Sequence, residues 1–231
     1  MFYKDWEPIY KQILSDFNFS LKKDIEAASI LNKILANKKI ISHNKLEELI
    51  TDKEIFVFGA GPSLEESISE NKKMFADKLI ISANGATSAL MKYKIQPDII
   101  VTDLDGKISD QINTNLKGSI TIVHAHGNNI DVIKENVPKF KGKILGSTQT
   151  NPDPYDYVYN FGGFTDGDRA VFLAEHFNTK KINLIGFDFN EEIGEYSFSD
   201  NKNRKTKLKK LKWSEILIGM LNQQNSNINF F

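Results

Sequence analysis

Six short apolar runs, each closing in a polar or glycine-rich cluster, constrain this chain more than any other feature. They are Ile55-Phe56-Val57-Phe58, Leu79-Ile80-Ile81-Ser82, Ile99-Ile100-Val101, Ile120-Thr121-Ile122-Val123, Lys143-Ile144-Leu145-Gly146 and Ile182-Asn183-Leu184-Ile185-Gly186. Runs of this length and type are buried strands, and helical segments separate them. Strands alternating with helices imply right-handed crossovers and a mostly parallel sheet covered by helices, that is, a Rossmann-like α/β fold. Before the first run, residues 5 to 49 return apolar side chains at helical spacing (Ile9, Ile13, Phe17, then Ile25, Ala28, Leu31, Leu35). We therefore expect an N-terminal helical segment over residues 1–52 and an α/β domain over 53–231. The lead-in is expected to cover the core or a partner subunit, which leaves a homo-oligomer open. The last helix is expected to end near Leu221, with a frayed polar tail over residues 222–229.

In open α/β sheets ligands collect at the carboxyl ends of the strands, where these clusters lie. The third run leads into Asp103-Leu104-Asp105-Gly106. Residues two apart in extended backbone project to the same side, so Asp103 and Asp105 would face each other and repel. A hard cation such as Mg²⁺ carrying phosphate oxygens would relieve that repulsion; a solvated polar turn is the alternative. After the first run, Gly59-Ala60-Gly61-Pro62-Ser63 turns into a helix starting near Leu64, with Ser63 as its cap. A phosphate could rest there on free N–H groups. The turn is not a P-loop, and it lacks the third glycine of the dinucleotide fingerprint. His124 and His126 follow the fourth run as candidates for ligation, hydrogen bonding or proton transfer. In Gly162-Gly163-Phe164-Thr165-Asp166-Gly167-Asp168-Arg169, Thr165 or Asp166 can cap a helix and Arg169 can fork onto phosphate. Past the last run comes Asp188, then a basic stretch over residues 202–212, either a solvated helix face or a lid over a triphosphate.

Thirty Lys and Arg balance thirty Asp and Glu, so there is no overall pull towards nucleic acid. Cysteine is absent, which excludes disulfides, thiolate nucleophiles and Cys-ligated zinc. With no signal-like apolar stretch and no eighteen-residue apolar run, the sequence reads as a soluble cytoplasmic protein that does not enter membranes.

Taken together, Phe58-Gly59-Ala60-Gly61-Pro62-Ser63-Leu64, Ala83-Asn84-Gly85-Ala86, Pro97-Asp98 through Gly106, His124-Ala125-His126-Gly127-Asn128 and Gly163 through Ala170 resemble, in order, the archaeal 6-hydroxymethyl-7,8-dihydropterin pyrophosphokinases of the MptE-like family. That family is similar, at a distance, to thiamin pyrophosphokinase, whose D-x-D after a strand binds Mg²⁺ and whose Gly-Gly-x-x-Asp stretch frames nucleotide and substrate. The resemblance implies a Mg²⁺-dependent transfer of diphosphate from ATP to the hydroxymethyl group of a reduced pterin, releasing AMP, on a route to tetrahydromethanopterin or a folate. It places Asp103 and Asp105 on the metal, and Gly59, Gly61, Ser63, Asn84 and Arg169 on nucleotide and phosphates. Gly163 and Thr165 fall to the acceptor, and Asp166, Asp168 or His126 to its orientation or its proton. Asn84, where the thiamin enzymes have Asp, and the His124-Ala125-His126 stretch depart from their pattern and suit a different acceptor. Two other readings stand beside this one: a nucleotide-sugar-binding or glycosyltransferase-like protein related to flagellar glycosylation factors, and a nucleotide-sensing module without turnover.

Overall fold

The computed structural model describes residues 1–75, 77–190, 192–197, 204–225 and 227–231. Eight strands form one parallel sheet: β1 (Glu54–Phe58), β2 (Leu79–Ala83), β3 (Ile99–Thr102), β4 (Ile120–Ala125), β5 (Ile144–Thr148), β6 (Val158–Tyr159), β7 (Lys181–Ile185) and β8 (Ile228–Phe230), in the order β6-β5-β4-β3-β2-β1-β7-β8. The central strands are buried on both faces, which is why they read as near-continuous apolar runs. Alternate residues separate cleanly. Ile55 and Val57 join a core with Ile81, Ile99 and Leu184, whereas Phe56 and Phe58 pack on the opposite face with Ile80 and Ile185.

Helices α1 (Tyr3–Phe17), α2 (Leu21–Leu35) and α3 (His43–Ile50) precede the sheet; α4 (Leu64–Asn71), α5 (Ala86–Lys92), α6 (Ile108–Leu116), α7 (Ile130–Asn136), α8 (Asp166–His176) and α9 (Arg204–Asn225) connect its strands. The N-terminal helices do not share a single face. Trp6, Tyr10 and Ile13 of α1 pack in the first core with Phe172 of α8, while Ala27, Ala28, Leu31 and Leu35 of α2 pack on the other side with Val123 and Ile144. The N-terminal segment thus embraces the sheet near β4 and β5.

Two parts of the sheet differ from the sequence expectation. β6 was not expected, since a two-residue strand has no periodicity to read. The tail expected to fray instead holds β8, with Ile182 opposite Ile228 and Leu184 opposite Phe230, and α9 runs on to Asn225. Pairing with β7 supplies the hydrogen bonds that order this polar segment, and Ile228 is buried.

At the end of α8, His176 donates from Nδ1 to the Met1 carbonyl (3.0 Å) and sits against Phe161 and Phe177. Burial first, and nearby positive charge second, push its ring down from the usual 6.5 to about 4. The unfolded chain therefore binds more protons between these values. The stability that the neutral ring contributes is fully present above about 6.5 and is lost as the pH falls from there towards 4. His176→Gln is expected to shrink the loss of Tm between pH 7 and pH 4.5 measured in thermal melts. An acid limb identical to that of the unaltered protein would remove His176 as a contributor.

Candidate active site

The chain leaves β1 towards β2 on one side and, after β6, comes back to place β7 on the other. The switch point between β1 and β7 is where ligands of such sheets bind. A cavity opens along this carboxyl edge. It is lined by the segments after β1, β2, β3, β4, β5 and β7, by the start of α8, by Lys207 and Lys210 of α9, and by Phe19, Ser20, Lys23 and Asp24.

At its centre Asp103, Asp105 and Asp166 bring carboxylate oxygens within 4.8 Å of one another. The two aspartates after β3 do meet, but strand alternation is not the cause. β3 ends at Thr102, and Leu104 adopts a left-handed φ of 68°. Such a backbone costs a branched residue about 1–2 kcal/mol. Burial of the Leu104 side chain and the bond from its N–H to Thr102 Oγ1 (2.9 Å) hold the turn. Asp105 N–H then donates to Asp103 Oδ1 (3.3 Å).

Asn84 sits above the pair with φ 42°. Its Nδ2 donates to Asp103 Oδ1 (3.2 Å) and to Asp105 Oδ1, while its Oδ1 accepts from Gln111 Nε2 (2.8 Å). Its amide thus positions the carboxylates; the phosphate role expected for it finds no spare donor. His126 is also occupied. Its Nδ1 accepts from Asn128 N–H (3.3 Å), which leaves the proton on Nε2 to point at Asp103 Oδ2 (3.4 Å). Asn129 completes the clamp by donating to the Asp103 carbonyl (2.9 Å).

The charges explain the arrangement. Burial works to raise Asp103, but the His126 bond and the charges of Arg169 and Lys210 hold it well below the usual carboxylate range. Asp105 is pushed up to about 6, by desolvation and then by the Asp103 charge. Asp105 keeps solvent access, so the repulsion is the part of that shift that persists. Burial, then Asp103, raises Asp166 well above normal, against the pull of Arg169, whose Nη1 lies 2.9 Å from Asp166 Oδ1. An all-oxygen set of three mutually repelling carboxylates suits a hard divalent cation such as Mg²⁺. Half-buried Lys207 and Lys210 face the same carboxylates from α9.

Several sequence expectations take another form here. Gly59 and Gly61 line the cavity, but their N–H groups donate to the carbonyls of Ile185 (2.8 Å) and Gly186 (2.9 Å). A Cβ on Gly59 would lie 2.7 Å from the Gly186 oxygen, so these glycines admit the β7 loop. Ser63 does not cap α4 with its side chain: its N–H (3.0 Å) and Oγ (2.8 Å) both donate to Asp188 Oδ2, and that carboxylate occupies the anion position at the helix start. Asp168 is fully buried and closes a capping box, accepting from Thr165 N–H (3.0 Å) and Thr165 Oγ1 (2.6 Å); it does not reach the cavity. Gly163, at φ 86°, is needed because a Cβ would press on Arg169. Thr165 and Arg169 do line the cavity. His124 is buried on Ser147 Oγ (3.0 Å).

The basic stretch is neither wholly a solvated face nor shown as a mobile lid. Lys202 and Asn203 lie outside the described residues; Lys207 and Lys210 line the cavity, and Lys209 pairs with Asp16 (3.1 Å). The sequence reading found no chemistry in the N-terminal segment, yet Asp24 lines the cavity. An available signal was its spacing with Ala27, Ala28, Leu31 and Leu35, which sets an acid on the apolar stripe of α2.

The family model described as 6-hydroxymethylpterin diphosphokinase MptE-like matches residues 29–194. Proteins named 6-hydroxymethyl-7,8-dihydropterin pyrophosphokinase are similar over most of their length. The one from Methanocaldococcus jannaschii is 45% identical, covering 94% of this chain and 95% of its own. That from Pyrococcus furiosus is 43% identical, covering 96% and 94%. A glycosyltransferase structure from Magnetospirillum magneticum, titled MAf glycosyltransferase, aligns with a TM-score of 0.41 at 16% identity, over 76% of this chain and 29% of its own. A likeness that low carries no argument for the glycosyltransferase reading.

Proposed function

The chain belongs to the 6-hydroxymethylpterin diphosphokinase MptE-like family, and from that premise we propose that it transfers diphosphate from ATP to the hydroxymethyl group of 6-hydroxymethyl-7,8-dihydropterin, on a route to a one-carbon carrier. The observation that carries the reading is the cluster of Asp103, Asp105 and Asp166 at the sheet's carboxyl edge, faced by Arg169, Lys207 and Lys210. The acceptor oxygen attacks the β-phosphorus, the bond from that phosphorus to the oxygen bridging it to the α-phosphorus breaks, and AMP leaves with the electron pair. Mg²⁺ held by the three carboxylates would neutralise charge on the phosphate oxygens.

The remaining work is positioning, because phosphoryl transfer runs through a loose transition state that asks little of a base. Asn84, His126 and Asn129 fix Asp103, and through it the cluster. Lys207 and Lys210, which line the cavity, would offset negative charge building on the leaving AMP. Of the three groups expected to handle the acceptor proton, Asp168 is buried away from the cavity, whereas His126 and Asp166 both line it, the one bonded to Asp103 and the other to Arg169.

Incubating the purified protein with Mg-ATP and 6-hydroxymethyl-7,8-dihydropterin is expected to yield equal amounts of AMP and the pterin diphosphate, separated by anion-exchange chromatography. Formation of ADP with a monophosphate ester would mean attack at the γ-phosphorus and would sink the reading.

A further inference from the structure

The cavity runs along the sheet edge, and its two ends differ in chemistry. The end after β1 and β7 offers Gly59, Gly61 and Phe187; the end after β4 and β5 offers Gly127, Gln149, Asp24, Phe19 and Phe164. Because the strand order is β5-β4-β3-β2-β1-β7, the carboxylate cluster after β3 lies between them.

Gln149 is 3% exposed, and its side-chain Oε1 is buried with no hydrogen-bond partner among the described residues. A native protein rarely leaves such an acceptor unsatisfied. The orientation of the amide is fixed by its neighbour. Nε2 lies 2.7 Å from Asp24 Oδ2, and a carboxylate only accepts, so nitrogen must face Asp24 and oxygen must point elsewhere. Asp24 is itself held by Tyr10 Oη (2.6 Å) and Gly127 N–H (2.6 Å), and the Gln149 backbone carbonyl is held by Trp6 Nε1 (3.1 Å). Four groups from α1, α2 and the loop after β4 thus hold Gln149, a residue of the cavity wall, with one buried side-chain oxygen left unpaired.

We propose that Gln149 Oε1 is a specificity-determining acceptor for the 2-amino/N3–H edge of the pterin ring, which lies at the β4–β5 end of the cavity beside Phe19 and Phe164. This rests on the function proposed above and assigns its acceptor subsite. The donor pattern decides between the two substrates. Adenine recognition by an amide uses its oxygen and its nitrogen together, but the two N–H donors of this nitrogen face Asp24 and Tyr10. A 2-amino-4-oxopteridine presents adjacent N–H donors on its amino group and N3, which an unpaired acceptor oxygen fits. The distance also agrees. Two strand spacings, roughly 10 Å, separate the ends of β5 and β3, about the long dimension of a bicycle carrying a hydroxymethyl arm towards the carboxylates. Asp24 acts as a positioning residue, setting which amide atom faces the ligand.

The test uses the full chain, with fluorescence titration of 6-hydroxymethylpterin and steady-state kinetics with its dihydro form. Losing one such bond is expected to weaken binding about tenfold. Gln149→Leu should raise the pterin Kd and the acceptor KM by that factor, with the ATP KM unchanged within about twofold. A comparison within the unaltered protein avoids dependence on the variant's folding: the analogue with oxygen in place of the 2-amino group should bind at least tenfold more weakly than the pterin. In Gln149→Leu that preference should collapse. Normal turnover by the unaltered protein, with equal binding of pterin and 2-oxo analogue, would overturn the subsite and leave the proposed reaction standing. Absence of any pterin turnover or binding by the unaltered protein would overturn the reaction, and the subsite with it.

Discussion

Asp103→Asn is expected to lower diphosphate transfer by about 10²–10³-fold, the size of effect that follows loss of one main element of transition-state charge stabilisation. Asp103 is the hub of the cluster: Asn84 and His126 donate to its carboxylate, Asn129 to its carbonyl, and its own N–H is directed at Asp166 Oδ2 (3.4 Å). An asparagine keeps the shape and one acceptor oxygen but removes the charge that would hold a divalent cation between Asp105 and Asp166. Asp105→Asn should lower turnover by a similar factor with a different stability signature. Desolvation and then the Asp103 charge push the Asp105 carboxyl up to about 6, so the carboxylate that is ionised at neutral pH costs the fold stability. Removing that charge should leave Tm in Mg²⁺-free buffer unchanged or slightly higher. The two measurements separate the roles. If both variants melted early while their folded fraction kept full specific activity, the aspartates would be structural and the candidate metal site would be wrong.

Trp6→Ala is expected to cost about 3–5 kcal/mol, the range for truncating a large buried aromatic. At 2–4 °C per kcal/mol for a chain of this size, Tm should fall by roughly 10 °C. Trp6 is fully buried, stacks on Tyr10 at 6.5 Å and meets Phe172 of α8 edge-on at 6.0 Å. It is also one of the groups that hold Gln149. Trp6→Phe should recover part of the loss, since one aromatic ring still fills the site while the volume of the indole's second ring and its N–H bond to the Gln149 carbonyl stay missing. A change of less than 2 °C for Trp6→Ala in a calorimetric scan would show that α1 is not anchored on the core as described.

The strands and their order of appearance were legible because parallel strands buried on both faces need apolar side chains at consecutive positions, and that pattern survives in one dimension. The Asp103/Asp105 pair was legible for a related reason: carboxylates at a strand end lie where an α/β sheet gathers ligands. Asp166 was singled out too, but its membership of the same cluster was not, because β3 and α8 meet only after the sheet has formed. Ile228 and Asn229 fell in a stretch that looked like a polar tail, since an edge strand paired to one neighbour carries little pattern of its own.

The sequence by itself determined the local elements and the polar residues that close them, because both depend on side-chain type and spacing within a few residues. Only the tertiary structure decided which donors were already spent. Gly59, Gly61 and Ser63 read as a phosphate cradle until β7 came alongside and its Ile185 and Gly186 carbonyls and Asp188 took their hydrogens. Asp168 read as catalytic until its carboxylate closed on Thr165. Gln149 carried no signal until Asp24, 125 residues away, bound its nitrogen and left its buried oxygen unpaired. Hydrogen-bond capacity is finite and is allocated among partners distant in sequence, so what remains for a ligand is a property of the folded chain.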